Sequence, residues 1–320
     1  MHTAFVTGGS GFLGGHLIAG LCRQNVSVRA LARSDHASGA VRALGAEPIS
    51  GDLDDVRAMS EGMRGCDVVF HAAAYAKQHG SRLAFFQANV GGTEQVVAAA
   101  RSAGVRRLVH IGTEAVLADG KPIVRADESV PRAAHPAGLY PLTKGLAEAA
   151  VLAANSAQLE TVVVRPRFIW GPNDTSVLAE LVASVRAGRW AWIDGGHYLT
   201  STCHVDNVVE GALLAAERGR PGEIYFLTDG EPVEFRSFIG ELLRTQGVEP
   251  GAREVPRWLV RTLAALTSWM REPPVTKTAV ALAGVEVTVR DDKARRELGY
   301  IGRTTRQQGL DALRAQSSAS

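Results

Sequence analysis

Over the first 165 residues, short runs of β-branched and apolar side chains alternate with longer stretches rich in alanine and leucine. This is the rhythm of βαβ units that build a parallel sheet. The runs at 3–7, 27–31, 47–50, 68–72, 107–112 and 160–165 predict strands, and 12–23, 56–63, 90–103 and 139–155 predict the helices between them. A parallel sheet covered by helices on both faces takes its ligands beyond the carboxyl ends of its strands, so residues there carry the chemistry. After Arg165 the rhythm loosens. Pro166, Gly171, Pro172, Gly195 and Gly196 punctuate loops, 177–186 predicts a helix, and 203–217 with a strand at 223–227 is regular enough to return to the main sheet.

The predicted fold class is therefore α/β. A doubly wound parallel sheet occupies 1–165 and regains 203–228, a smaller discontinuous substrate lobe is made from 166–202 and 229–314, and the Ser/Ala-rich tail at 315–320 frays. The stretch 255–270 is apolar but holds Arg257 and Arg261 and is too short to cross a bilayer. A packed amphipathic helix is preferred there over one lying on a membrane surface.

Strand 3–7 runs into Gly8, Gly9, Ser10, Gly11, Phe12, Leu13 and Gly14, a TGxxGxxG run that opens a helix. Glycine there permits a tight turn and close backbone approach to a pyrophosphate, which the helix N-terminus attracts. Dinucleotide enzymes that use NAD commonly place a carboxylate at the end of the second strand, on the adenosine ribose. Here Ala32 is followed by Arg33 and Ser34, a guanidinium and a hydroxyl suited to a ribose 2′-phosphate. NADP(H) is the preferred cofactor on this reading. Asp35 could still reach a ribose hydroxyl, which keeps NAD(H) open, and a plain solvated arginine is the bland alternative for Arg33. After the third strand, Asp52 could accept from the adenine amino group while Leu53 covers the ring. Ala72, Ala73 and Ala74 end the fourth strand with side chains small enough for a flat cofactor to pass.

Tyr140 and Lys144 are four residues apart at the start of an Ala/Leu-rich helix and so share a face. A phenol with a pKa near 10 is a poor base at neutral pH, and a nearby ammonium favours its ionised form. In the reductive direction Tyr140 would give a proton to a carbonyl oxygen while hydride reaches the carbon, Lys144 would hold the cofactor ribose, and Thr113, just past the fifth strand, would position the oxygen.

Composition narrows the field. The 320 residues include 35 basic and 33 acidic ones, interspersed rather than striped, with a formal net charge of +2, so nothing asks for nucleic acid. Three cysteines, Cys22, Cys66 and Cys203, have no metal or disulfide spacing and no metal is expected. With no basic and apolar leader before the first strand, a cytoplasmic location is expected.

The motifs together resemble the extended short-chain dehydrogenases/reductases of the epimerase/dehydratase superfamily, nearest the 3β-hydroxysteroid dehydrogenase and dihydroflavonol reductase-like branches. The resemblance covers almost the whole chain: TGGSGFLG at 7–14, GDL at 51–53, HAAA at 71–74, NVGGT at 89–93, YPLTK at 140–144, RPRFIWGP at 165–172, HVDNVVEG at 204–211, and two later segments from Gly222 and Asp291. It implies a Rossmann-type sheet and an enzyme acting on CH–OH groups. It also implies that Asn89 anchors the site, that Arg165, Pro166 and Phe168 line the nicotinamide side, and that two chains pair through helices including that of Tyr140. Where the steroid branch commonly has aspartate before the arginine, this chain has Ala32, so the cofactor reading follows the other branch.

Sugar-nucleotide members of the superfamily resemble one another in an asparagine and an Arg-Asp pair that bind diphosphate, and both are missing here. Phe168, Trp170, Trp190, Trp192, Trp258 and Trp269 instead suit an apolar or aromatic substrate, although Trp190 and Trp192, two apart, read more readily as strand packing. The leading expectation is a small hydrophobic, sterol-like or aromatic carbonyl or alcohol as substrate. The alternatives are a nucleotide-sugar epimerase or dehydratase with tightly bound NAD, and a redox-sensing regulator, whose usual mark is loss of the tyrosine or lysine.

Overall fold

The computed structural model describes every residue except 78, 271, 272 and 320. Its first part follows the alternation read from the chain: β1 (Thr3–Thr7), α1 (Phe12–Arg23), β2 (Ser27–Ala32), α2 (Asp35–Ala43), β3 (Glu47–Ser50), α3 (Val56–Met63) and β4 (Val68–His71). Next come a one-turn α4 (Arg82–Phe85), a π-helical turn at Phe86–Gly91, α5 (Gly92–Ala103), β5 (Arg107–Ile111), a 3₁₀ turn at Glu114–Leu117, β6 (Ile123–Ala126), α6 (Leu139–Ala153) and β7 (Glu160–Pro166).

The remainder is less regular. It comprises β8 (Ile169–Trp170), α7 (Val177–Arg186), β9 (Trp192–Ile193), β10 (Leu199–Thr200), β11 (Cys203–His204), α8 (Val205–Arg218), β12 (Ile224–Leu227), β13 (Val233–Glu234) and α9 (Phe235–Arg244). After these lie β14 (Glu254–Val255), α10 (Arg257–Leu266), α11 (Lys277–Ala283), β15 (Val287–Val289), α12 (Asp292–Leu298) and α13 (Arg306–Ala319).

Seven strands form the main sheet in the order β12-β7-β5-β4-β1-β2-β3, all parallel. The order reverses beside β1, which puts a crevice at the carboxyl ends of β1 and β4. Strand alternation explains the two-faced core. Ala4 and Val6 of β1 join residues of α1 and α8 on one face, while Phe5 joins residues of α3 and α5 on the other. Burying Val6 or Phe5 in this way is worth about 1.5–3 kcal/mol each.

The strand expected at 223–227 is β12, at the edge of this sheet beside β7. Residues between and after the returning segment build a second core in which Trp170, Trp192, Phe235 and Phe238 meet Leu310 and Leu313 of α13. That helix continues to Ala319, so the tail expected to fray is helical as far as the described residues go; Ser320 lies outside them.

The segment 255–270 departs from expectation. Its helix, α10, packs on α11 and buries only Ala264. Trp258 is 69% and Trp269 82% exposed, with Leu259, Leu263, Leu266 and Met270 also outside. The packed helix expected here is thus corrected: it is amphipathic, but its apolar side faces outward. Among the described residues no helix is long and apolar enough to cross a membrane.

Candidate active site

The glycine loop is shaped by close approach. Gly8 has φ +74°, and a Cβ there would lie 2.7 Å from the Ala73 nitrogen, so the loop sits directly on the end of β4. At Gly14 a Cβ would lie 2.0 Å from the Gly8 carbonyl oxygen, so α1 starts against the turn itself. No side chain caps α1 and no acid stands in its first turn, which leaves its N-terminal field for an anion. Ser10 and Gly11 are exposed; Phe12 and Leu13 are half-buried. Gly9 has no room to grow either, because Ile18 lies 2.7 Å from where its Cβ would be.

At the end of β2, Arg33 is exposed and has no hydrogen-bond or ionic partner among the described residues. Ser34 caps α2 by accepting from the Ala37 nitrogen at 3.2 Å. Asp52 is exposed and accepts from the Leu53 nitrogen at 2.8 Å, while Leu53 packs on Gly92. Ala72 and Ala73 are half-buried and Ala74 exposed along the crevice. Cradle, helix start and unpaired guanidinium fit a phosphorylated dinucleotide.

Asn89, in the π-helical turn, is buried. Its Oδ1 accepts from the Tyr75 nitrogen at 2.7 Å, and its Nδ2 donates to the Tyr75 carbonyl at 3.2 Å and to the Thr143 hydroxyl at 3.0 Å. One amide therefore ties the loop after β4 to α6. A second set of bonds runs back to the cradle: the Thr7 hydroxyl meets His71 Nδ1 at 2.7 Å, His71 Nε2 meets the Thr93 hydroxyl at 2.9 Å, and Thr93 donates to the Asn89 carbonyl at 2.6 Å. The Thr93 proton is given to the Asn89 carbonyl, so Thr93 accepts from a hydrogen on His71 Nε2, and the bare Nδ1 accepts from the Thr7 hydroxyl. Burial and the neighbouring Lys144 charge push the His71 pKa down to about 3, consistent with this neutral form.

On α6, Tyr140 lies in the first turn and Lys144 one turn later. Lys144 is buried, donates to the Ile111 carbonyl at 2.7 Å and lies 3.4 Å from His110 Nε2. Burial lowers its pKa to about 8, against the Glu148 charge, which opposes the shift. Tyr140 is pushed up to about 12 by burial and by the Glu114 charge, with Thr113 pulling the other way. The sequence leads one to expect an ammonium that favours phenolate. In the structure Lys144 is committed to a strand carbonyl, and the charge facing the phenol is a carboxylate.

Glu114 and Arg167 had no assigned part in the expected constellation. Thr113 is buried and donates to Glu114 Oε2 at 2.9 Å, and Glu114 Oε1 accepts from Arg167 Nη1 at 3.0 Å. Arg167 also donates to the Leu282 carbonyl and the Thr200 hydroxyl. Arg165 was expected on the nicotinamide side. Its guanidinium is turned instead to Glu148, with bonds of 2.7 and 2.6 Å, and clamps β7 to α6. The i, i+4 spacing of Lys144 and Glu148 was the signal available in the sequence.

Pro166 ends β7, buried. Phe168 has φ +45°, a strained conformation for a non-glycine residue, and packs edge-on against Phe238. Trp170 and Trp192 are core residues whose Nε1 groups donate to Asp229 and to the Gly251 carbonyl. With Trp258 and Trp269 outside, the expected tryptophan-rich pocket is corrected to lobe packing for two of the five and surface for two more. Cys203 is buried in the core of the main sheet, and His204 is buried edge-on against Trp170.

Comparison with known proteins fixes the lineage. Residues 5–257 match the model of the 3-beta hydroxysteroid dehydrogenase/isomerase family. The chain belongs to this family. Among its relatives, a 4-hydroxy-2-methyl-3-oxo-4-farnesyl-3,4-dihydroquinoline-1-oxide ketoreductase of Stigmatella aurantiaca is 55% identical over 317 residues, 97% of this chain and 95% of that one. A decarboxylating sterol-4-alpha-carboxylate 3-dehydrogenase of Dictyostelium discoideum is 31% identical over 98% of this chain and 100% of its own. The crystal structure of gox2253 superposes with a TM-score of 0.80 at 29% identity, covering 99% of this chain and 98% of that one.

As a member of the 3-beta hydroxysteroid dehydrogenase/isomerase family, the chain is an NAD(P)-dependent oxidoreductase acting on hydroxyl or keto groups. The relatives favour this over the sugar-nucleotide alternative.

Proposed function

We propose that the chain is an NADP(H)-preferring ketoreductase for a lipophilic cyclic or alkylated ketone, with Tyr140 as the proton donor. The observation that carries this is a phenol kept protonated by burial and the Glu114 charge, on the same helix as a buried Lys144 that reaches the carboxyl end of β5, in a sheet whose β1 ends in a glycine cradle. Gly8, Gly9, Ser10, Gly11 and Gly14 would hold the pyrophosphate, Asp52, Leu53 and the 72–74 segment the adenosine, and Arg33 a 2′-phosphate. The bound dinucleotide supplies the hydride. Tyr140 gives its phenolic proton to the ketone oxygen, Thr113 orients the phenol beside that oxygen, and Lys144 can exchange its bond with Ile111 for one with a ribose hydroxyl. The names of the two relatives, one acting on a farnesylated dihydroquinoline ketone and one on a sterol carboxylate, support a lipophilic substrate. Pairing of two chains through helices that include α6 is proposed from the family resemblance.

The test is NADPH oxidation at 340 nm against alkylated and prenylated ketones, with Tyr140→Phe as reference. Turnover should fall at least about 100-fold in the variant, the scale for removing a general acid. Equal turnover in parent and variant, or turnover only of sugar nucleotides with retained NAD, refutes the reading.

A further inference from the structure

Beyond the tyrosine and lysine, the site contains an ion pair that the mechanism above does not use. Glu114 and Arg167 are both almost fully buried, and a buried ion pair is costly to maintain unless its geometry is close to ideal. The Glu114 carboxylate divides its two oxygens, one to Arg167 and one to the Thr113 hydroxyl. Arg167 is itself held from behind by the Leu282 carbonyl of α11 and the Thr200 hydroxyl of β10, so the carboxylate cannot swing away.

We infer that Glu114 is a positioning residue of this site: clamped by Arg167, it takes the hydroxyl proton of Thr113 and so holds Tyr140 as the acid for ketone reduction. A hydroxyl has one proton to give. With that proton committed to Glu114, Thr113 meets the phenol through its lone pairs. Committed in this way, it can accept from a protonated phenol but cannot give a phenolate the bond that would otherwise lower the pKa of Tyr140. The Glu114 charge works in the same direction, since like charge opposes ionisation of the phenol. During reduction the ketone oxygen takes the proton of Tyr140, and the phenolate is reprotonated from solvent between turnovers. Glu114 makes that return favourable. This inference rests on the proposed ketoreductase reading.

The groups facing this cluster are few. Arg167 faces Glu114, with Tyr198 on its far side, where the phenol donates to the Ala283 carbonyl. Beyond Tyr140, Lys144 faces His71 and His110, whose pKa values burial drives far below neutrality, so both are silent in alkali. Lys144 does titrate there, but its pKa is set by burial and Glu148 rather than by Glu114. A change on altering Glu114 therefore reports Tyr140.

The experiment measures kcat/KM for NADPH-dependent ketone reduction against pH in the parent, Glu114→Gln and Glu114→Asp. In parallel, phenolate absorbance is titrated with NADP⁺ bound, using Tyr140→Phe as the blank. Removing the charge should lower the alkaline limb and the Tyr140 titration together by at least about one pH unit, the lower end for a close charge. Glu114→Asp keeps a partner for Arg167 but withdraws from Thr113, and should move both the same way by less. This second variant carries the test should Glu114→Gln not fold. Lower turnover with an unmoved limb and an unmoved phenol titration overturns the inference and leaves Glu114 purely structural. If Tyr140→Phe itself retains turnover, the ketoreductase reading fails instead.

Discussion

Gly14→Ala tests the cradle most directly. The added methyl carbon would sit 2.0 Å from the Gly8 carbonyl oxygen and 2.6 Å from its carbon, both backbone atoms. A carbon and a carbonyl oxygen settle at about 3.3–3.6 Å, so the turn and the start of α1 must separate by more than about 1 Å. Gly8 cannot retreat, because it already lies against Ala73. A misplacement of about 1 Å costs on the order of 100-fold where groups must converge, which corresponds to about 2.7 kcal/mol. Fluorescence titration with NADPH should therefore show a Kd raised about 100-fold or more.

Gly15→Ala is the control one residue along. Its methyl would lie 3.4 Å from Leu44 Cδ1, an ordinary contact, and alanine in a helix gains about 0.5–1 kcal/mol over glycine. That variant should bind NADPH as the parent does and melt no lower. Parental affinity in Gly14→Ala would refute the proposed cradle.

Other expectations can be checked independently. Arg33→Ala should raise the Kd for NADPH about tenfold or more while leaving NADH nearly unchanged, since only the former carries the phosphate an arginine can grip; equal effects remove the 2′-phosphate argument. Glu148→Gln leaves the buried Arg165 guanidinium without its carboxylate and should cost about 3–5 kcal/mol in urea unfolding, and a loss below about 1 kcal/mol would show that the clamp is dispensable. His71 is held near a pKa of about 3 and His110 is also lowered. Above the ordinary histidine value both are neutral whether folded or unfolded. As pH falls from about 6.5 toward 3 the unfolded chain takes up protons that the native site refuses, so stability should decline across that window. A melting temperature flat from pH 7 to 4 would contradict this, and His71→Gln should lessen the slope.

The main sheet was legible because its strands are short apolar runs between amphipathic helices, and periodicity marks both. The helices at 56–63 and 177–186 lie where the pattern places them. The lobe was not legible in the same way. β8, β9, β10, β11, β13 and β14 are two residues each, too short for any period, and exist only because distant segments meet. For α10 the spacing of Trp258, Leu259, Leu263 and Leu266 shows that they share a side, but spacing cannot say whether that side is covered.

The same limit applies within the site. Tyr140, Lys144 and Thr113 could be read from their positions at strand and helix ends. The charge that governs the phenol could not, because Glu114 is held by Arg167 from 53 residues away. Arg165 shows the limit from the other side: its motif points to the nicotinamide side but says nothing of its guanidinium, which is bound to Glu148.

The bonds from Thr7 through His71 and Thr93 to Asn89 and Thr143 make the coenzyme-binding half and the proton-donating half mechanically one body. Loosening any link should then be felt at both ends, so affinity for the dinucleotide and turnover of the ketone would decay in step rather than separately.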